Sequence, residues 1–228
     1  MNIDLINVFS ESHDLLFSGV AVTIQITVVS LLIALIVGIG VCLLNISPFK
    51  ALNVIAKAYI WLIRGTPMLV QAFYFYFALP QLIQTITGTP FRIEIFTAGV
   101  ITLSMNAGAY ISEIFRGSIE AVDKGQMEAA RSLGLSYAQS MRMIILPQAV
   151  RICLPSLVNQ FIITLKDSTI LYAIGLPEIM NKAKVYVGRT MLSFATYTWV
   201  AIFFLAIVTV LSLISHAAEK RLSVSARN

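Results

Sequence analysis

The chain has 228 residues, 58% of them hydrophobic and only 12% charged, with a formal net charge of +5. Soluble domains average about 45–50% apolar and about 25% charged residues, which argues against a soluble enzyme; disorder, which needs low hydrophobicity and high charge, is excluded as well. A polytopic membrane protein about one domain long remains, and its basic excess belongs first to loops on one side of a bilayer rather than to nucleic-acid binding.

A helix needs about 20 apolar residues to cross the bilayer core. Runs free of Asp, Glu, Lys and Arg predict an all-α membrane protein with five spans, at about 16–44, 60–86, 95–117, 152–176 and 193–217. Backbone amides without water need internal partners, which favours helix, and the alternating pattern of a β-barrel is absent. The first run is not a cleaved signal, because no Lys or Arg precedes Lys50 and the basic leader region is missing. Ile3–Leu15, with Asp4, Glu11 and Asp14, reads either as a surface-lying segment or as a frayed polar terminus.

The basic residues predict the orientation. With the N-terminus outside, the cytoplasmic segments hold Lys50, Lys57, Arg64, Arg116, Lys124, Arg131, Arg142, Arg151, Lys220, Arg221 and Arg227. The outer loops hold only Arg92, Lys182, Lys184 and Arg189, while Lys166 lies inside a span. The bias gives N-out, C-in, consistent with an odd number of spans; Lys50, Lys57 and Arg64 are its weakest part if the second span begins before Arg64.

Reactive chemistry has no foothold. Cys42 and Cys153 sit in apolar stretches without a CxxC or a neighbouring His, and the two histidines, His13 and His216, lie near opposite ends, so neither a metal site nor a redox centre is predicted. No G-x-x-x-x-G-K-[ST] occurs, so the chain is not expected to hydrolyse ATP. Gly38 and Gly40 lack a strand–helix context and read as helix-packing positions.

The longest polar stretch, Arg116 to Arg151, predicts two short helices. The first covers Val122–Leu133 with Gly134 as its C′ residue. The second opens at Ser136, with Gln139 completing a capping box. Tyr137, Met141, Ile144 and Ile145 fall on one face, and Pro147 is expected to stop the helix. Such a helix–Gly–helix knuckle suits docking of another protein: Ala129 and Ala130 permit close approach, and Glu128 lies on the polar side. The plainer reading is a connector, although long ordered connectors tend to be functional.

Glu128-Ala129-Ala130, three residues, Gly134, nine residues, Ile144, one residue, Leu146-Pro147 resembles the EAA signature of ABC importer permeases at every position. Arg64-Gly65-Thr66-Pro67, the run Asn106–Glu113 and Leu165-Lys166-Asp167-Ser168-Thr169 resemble the polar amino-acid uptake subfamily, the histidine/glutamine/arginine type. The resemblance covers about residues 15–220 and implies a single type I ABC transmembrane domain over 1–228, with an EAA coupling loop at about 118–150. It further implies a second permease subunit, identical or homologous, and two ABC ATPase subunits that hold ATP and Mg, leaving no cofactor in this chain. An extracytoplasmic substrate-binding protein, free or tethered, would deliver the amino acid, and the site of action would be the bacterial inner membrane, with no nucleic acid involved. Glu128, Ala129, Ala130, Gly134, Ile144, Leu146 and Pro147 would couple the ATPase to the spans.

Polar side chains within spans are costly and mark pathways. Gln71, Ser104, Asn106, Gln160, Thr164 and Asp167 are the candidate substrate-binding residues. Gln160, Thr164 and Asp167 share a helix face by i, i+4, i+7 spacing. Side-chain amides can serve both the ammonium and the carboxylate of a zwitterion, and the neutral Gln160 favours a neutral polar substrate, such as glutamine or cystine, over arginine. The competing reading is that these groups only bond neighbouring helices, and for Asp167 a structural ion pair or network is preferred. Glu113 and Arg116 form a candidate i, i+3 pair. The aromatic block Phe73–Phe77 reads as packing or lipid contact, and Pro177–Arg189 as an outer interfacial helix serving as gate or docking surface. Three other classes compete. An ion-gradient-driven secondary transporter predicts inverted repeats and broken helices at mid-membrane; an intramembrane enzyme needs a nucleophile–base or metal set; a membrane scaffold would be indifferent to changes at Gln160.

Overall fold

The computed structural model describes the backbone of residues 5–224 and the side-chain surroundings of residues 5–214. Ile3, Asp4 and Arg227 lie outside the described residues, as do the side chains of His216, Lys220 and Arg221. Every regular element among the described residues is helical.

Helix α1, Leu5–Asn45, runs unbroken for 41 residues. Its first turns are packed rather than frayed: Trp199 donates from Nε1 to the Leu5 carbonyl at 2.8 Å, and the Tyr186 hydroxyl donates to Glu11 Oε2 at 2.9 Å. A buried stripe at three- and four-residue spacing runs along α1: Leu16, Gly19 and Thr23, nearer the start, lie against the segment around Ile179, whereas Ile26, Ser30, Ala34 and Gly38 face α5, Ile95–Glu120. The two backbones approach closely because the contact positions are small. A Cβ on Gly38 would stand 2.5 Å from Ile111 Cγ2, and one on Gly108 would stand 2.8 Å from Val37 Cγ1. A Cβ added to Gly40 would meet nothing within 4 Å among the described residues, so within this chain the close packing is at Gly38. Most hydroxyls along α1 and α5 are satisfied: Thr23 and Thr27 donate to the carbonyls of Gly19 and Thr23, and Ser104 donates across to the Ser30 carbonyl at 3.1 Å, while the buried Ser30 hydroxyl has no partner among the described residues. The opposite face of α1 exposes Leu32, Ile36 and Leu43, as a lipid-facing surface requires.

The second predicted span is a broken one. Helix α2, Lys50–Gly65, stops at an extended Thr66–Pro67; α3, Met68–Phe73, follows, then a π-turn over Tyr74–Ala78, then α4, Leu79–Thr87. Pro67 forces its predecessor out of the helical region, and Thr66 takes φ −117, ψ 143. Arg64 therefore lies in the last turn of α2, well inside the segment rather than in a loop before it. The aromatic block falls across the π-turn, with Phe73, Tyr74 and Phe77 exposed on the outside of the fold.

Among the described residues, four helices are long and apolar enough to cross a membrane: Leu5–Asn45, Ile95–Glu120, Tyr137–Ile174 and Ser193–Ile214. The third of these departs from expectation. Pro147 does not stop the second loop helix. A π-turn over Met141–Ile145 joins α7, Tyr137–Ser140, to α8, Leu146–Asp167, and Pro147 sits in the first turn of α8. The widened turn accommodates a residue without an N–H and keeps its ring from the preceding carbonyls. The polar loop is thus shorter than the sequence suggests, and its second half is the start of the long apolar helix that carries the fourth predicted span. That span ends in a 3₁₀ stretch, Ser168–Ile174, closed by Gly175 at φ +92.

Beyond it, α9, Ile179–Thr190, occupies the segment expected to form an interfacial helix. Its first turn lies on α1, where a Cβ on Gly19 would meet Ile179 Cα at 2.6 Å and Ile179 N–H donates to Thr23 Oγ1 at 3.3 Å. Glu178 caps α9, accepting from the backbone N–H groups of Met180 and Asn181 at 2.9 and 2.7 Å. Helix α10, Ser193–Val224, completes the bundle.

Candidate functional site

Two regions combine order with exposure: the knuckle between α5 and α8, and a cavity where α2, α5 and α8 converge.

In the knuckle, Asp123 caps α6, Lys124–Ser132, accepting from Gly125 N–H at 2.6 Å. Helix α6 closes with Gly134 at φ +83, a backbone conformation strained for any side chain. Leu135 N–H reaches the Ala130 carbonyl at 3.2 Å, and Gly134 N–H reaches Arg131 at 3.0 Å, the paired bonds of a Schellman ending. The predicted capping box is present: Gln139 N–H donates to Ser136 Oγ at 3.3 Å, and Ser136 N–H donates to Gln139 Oε1 at 2.8 Å. Met141, Ile144 and Ile145 pack with Val122, Met127 and Ala149. Tyr137, expected on that buried face, is exposed instead, since the π-turn rotates the residues before it away. Ala130 is buried inside the knuckle, whereas Glu128 and Ala129 face outward, and Leu146 and Pro147 are exposed at its base. Leu133 and Tyr137, on either side of the Gly134 turn, stand 83% and 61% exposed, and Met143 in the following π-turn is 65% exposed. A rigid, capped turn that displays bare apolar side chains is a surface built to be covered.

The cavity, of about 500 Å³, is lined by Arg64, Tyr110, Glu113, Ile114, Pro155, Ser156, Asn159 and Gln160. A second cavity of about 570 Å³ continues toward the knuckle end, sharing Glu113 and adding Asn45, Asn53, Lys57, Trp61, Arg116 and Glu120. The ion pair expected from sequence is present and extended. Arg116 donates through Nε and Nη2 to the two oxygens of Glu113 at 3.1 and 2.9 Å and through Nη1 to Glu120 at 2.7 Å. Asn45 donates to Glu113 from α1 at 3.3 Å.

The candidate substrate-binding residues separate into two groups. Gln160 lines the cavity, and its Nε2 donates to Thr164 Oγ1 at 3.3 Å, so Thr164 stands behind it. Asp167, one turn further, is half-buried and makes no hydrogen bond or salt bridge among the described residues. Gln71, Asn106 and Ser104 are not among the lining residues. Gln71 mends the broken helix. Pro67 has no N–H to give the Ile63 carbonyl, and Gln71 Nε2 donates there at 2.7 Å, sharing itself with the carbonyl and hydroxyl of Thr66 at 3.0 and 2.9 Å. Asn106 Nδ2 donates to Gln71 Oε1 at 3.2 Å, tying the mend to α5, and Ser104 bonds to α1. These three amide and hydroxyl groups join helices. Arg64, Tyr110 and Ser156 line the cavity although composition and spacing did not single them out as contacts; Ser156, Asn159 and Gln160 carry a usable i, i+3, i+4 signal.

Residues 30–224 match the family described as binding-protein-dependent transport system inner membrane component. The chain belongs to this family. It is 39% identical over 207 residues to the arginine transport system permease protein of Bacillus subtilis (strain 168), covering 91% of this chain and 92% of the relative. It is 37% identical over 210 residues to the glutamine transport system permease protein of Escherichia coli (strain K12), covering 92% and 94%. A crystal structure of an amino acid ABC transporter with histidines superposes at TM-score 0.90 and 36% identity, covering 97% of this chain and all 100% of the other. The inward-facing methionine ABC transporter, 21% identical at TM-score 0.70, shares the fold. As a member of this family the chain is an ABC transporter permease for amino-acid transport, a membrane component rather than an ATPase.

Proposed function

We propose that this permease imports a polar amino acid across the bacterial inner membrane in an ATP-driven complex, with two ATPase subunits, a second permease subunit and an extracytoplasmic binding protein. ATP and Mg belong to the ATPase. The chain crosses the membrane five times, N-out and C-in, the broken α2–α4 segment being the second crossing. The knuckle between α5 and α8 seats in the ATPase, with Glu128, Ala129, Ala130, Gly134, Ile144, Leu146 and Pro147 forming or shaping the contact. The observation that carries this reading is the exposed apolar rim of Leu133 and Tyr137 on either side of a rigid Gly134 turn, with Met143 in the π-turn that follows, in a chain of this family. Closure of the ATPase pair on ATP moves the knuckle. Because the knuckle runs without interruption into α8, the motion passes directly to Ser156, Asn159 and Gln160 at the cavity.

The substrate is a neutral polar amino acid, because the polar side chains on the α8 wall of the cavity, Ser156, Asn159 and Gln160, are neutral, and Glu113, the carboxylate lining it from α5, is already engaged by Arg116. The broken second segment is a trait that ion-driven transporters also have, and ATP dependence separates the two readings. The complex is purified with its co-expressed ATPase and binding protein, and ATP turnover is measured with single amino acids. Glutamine or cystine should stimulate turnover more than lysine or arginine. Turnover indifferent to every amino acid, or a chain that purifies without any ATPase, would sink the proposal.

A further inference from the structure

Arg64 presents a guanidinium with unused donors to the cavity. Its side chain is 43% exposed and lies over the Tyr110 ring, 5.0 Å from the centroid. Glu113 is its nearest carboxylate, at 4.0 Å, beyond hydrogen-bond distance. Both oxygens of Glu113 already accept hydrogen bonds from elsewhere, Oε1 from Arg116 and Asn45 and Oε2 from Arg116. Arg64 donates no hydrogen bond among the described residues, so the five N–H donors of its planar fork remain free. Facing it across about 500 Å³ are Ser156, Asn159 and Gln160, all neutral. That volume lies within the ~300–1,000 Å³ typical of small-molecule sites. Every zwitterionic amino acid carries one planar anion at the same place, its α-carboxylate, and a guanidinium fork matches that group bidentately.

We propose that Arg64 is the residue that recognises the substrate α-carboxylate, steadied by the Tyr110 ring, while Gln160 with Asn159 and Ser156 reads the rest of the molecule. Arg116 and Asn45 supply the hydrogen bonds of Glu113, which leaves the donors of Arg64 for the ligand. This assignment rests on the permease reading above and adds to it the residue that requires a free carboxylate. Arg64 also stands immediately before the Gly65–Pro67 break, so any hinge motion there carries the carboxylate contact toward or away from Gln160.

The test uses the permease–ATPase complex in detergent without binding protein, so that only the membrane site selects. Equilibrium binding of radiolabelled L-glutamine and L-arginine is measured, with L-glutaminamide and L-argininamide, in which the α-carboxylate is replaced by an amide, as competitors. The wild-type complex should prefer the free acid over the amide by about tenfold or more, as expected for a charge-assisted pair. Arg64→Gln should weaken acid binding by a similar factor and level the preference, Arg64→Lys should keep part of it, and Gln160→Glu should alter the glutamine-to-arginine ratio with the acid-to-amide preference intact. If Arg64→Gln does not assemble with the ATPase, Arg64→Lys and Tyr110→Leu carry the test through the same ratio. An acid-to-amide preference unchanged in these variants, in a complex that binds amino acid, overturns the Arg64 assignment alone. A wild-type complex that binds neither amino acid overturns the reading of this cavity as the substrate site, and the Arg64 assignment with it.

Discussion

The mend at the broken second segment gives the sharpest prediction about this fold. Gln71→Met keeps the length of the side chain and removes its amide. The Ile63 carbonyl then has no donor, because Pro67 cannot supply one; the Thr66 carbonyl loses a 3.0 Å bond and Asn106 Nδ2 loses its acceptor. Gln71 and Asn106 are 6% and 9% exposed, so water does not replace these contacts freely. A buried polar group left unpaired costs about 1–3 kcal/mol, while side-chain hydrogen bonds measured within membranes average about 0.6 kcal/mol. Across three groups the loss is about 2–4 kcal/mol, which lowers the unfolding midpoint by roughly 5–15 °C for a chain of this length. Cys42 and Cys153 are free and buried, so their alkylation along a temperature series, read by mass spectrometry, reports unfolding of this chain within the complex. Gln71→Ala is the informative comparison. It leaves room for a water to serve the orphaned groups and should lose less than Gln71→Met, although methionine fills the space better. If the methionine variant is as stable as wild type, or more stable than the alanine variant, packing rather than hydrogen bonding governs the break and the reasoning fails.

Three further outcomes follow from the same geometry. Gly38→Val should destabilise the α1–α5 contact by about 1–3 kcal/mol through overpacking against Ile111, while Gly40→Val, with open space around it, should leave the thermal midpoint unchanged; equal effects would show that the close approach is not there. Gly134→Val places a β-branched residue at φ +83 and should abolish amino-acid stimulation of ATP turnover and uptake, with Gly134→Asn milder; normal uptake in the valine variant would contradict the knuckle's role. Burial pushes the Glu178 carboxyl up to about 7, against the opposing pull of the Met180 and Asn181 N–H groups. The unfolded chain ionises at the ordinary carboxylate pKa, so stability falls as pH rises from there through about 7 and levels off above it. Thermal midpoints between about pH 5 and about pH 8 should show that slope in wild type and lack it in Glu178→Gln.

The parts of this molecule legible in its sequence are those set by local rules. The capping box at Ser136 and Gln139, the left-handed Gly134, the Glu113–Arg116 pair and the four long apolar helices each depend on residues a few positions apart. What was not legible depends on distant partners. Pro147 looks like a helix stop, yet a π-turn absorbs it, and nothing local distinguishes the two outcomes. Gln71 and Asn106 look like pathway residues because they are polar within spans. Their engagement becomes visible only when Pro67 leaves a carbonyl bare beside one and α5 brings the other alongside. Arg64 reads as a loop cation until the break is seen to carry it beside Tyr110 and Glu113.

In the proposed function the knuckle is driven by a separate nucleotide engine. The direct measurement is amino-acid uptake into proteoliposomes holding the permease, its ATPase and its binding protein, with ATP supplied on one side and ionophores collapsing every ion gradient. Uptake that requires ATP on the ATPase side and survives the ionophores is the expected result. Uptake that proceeds without ATP and vanishes with the ion gradient would contradict it.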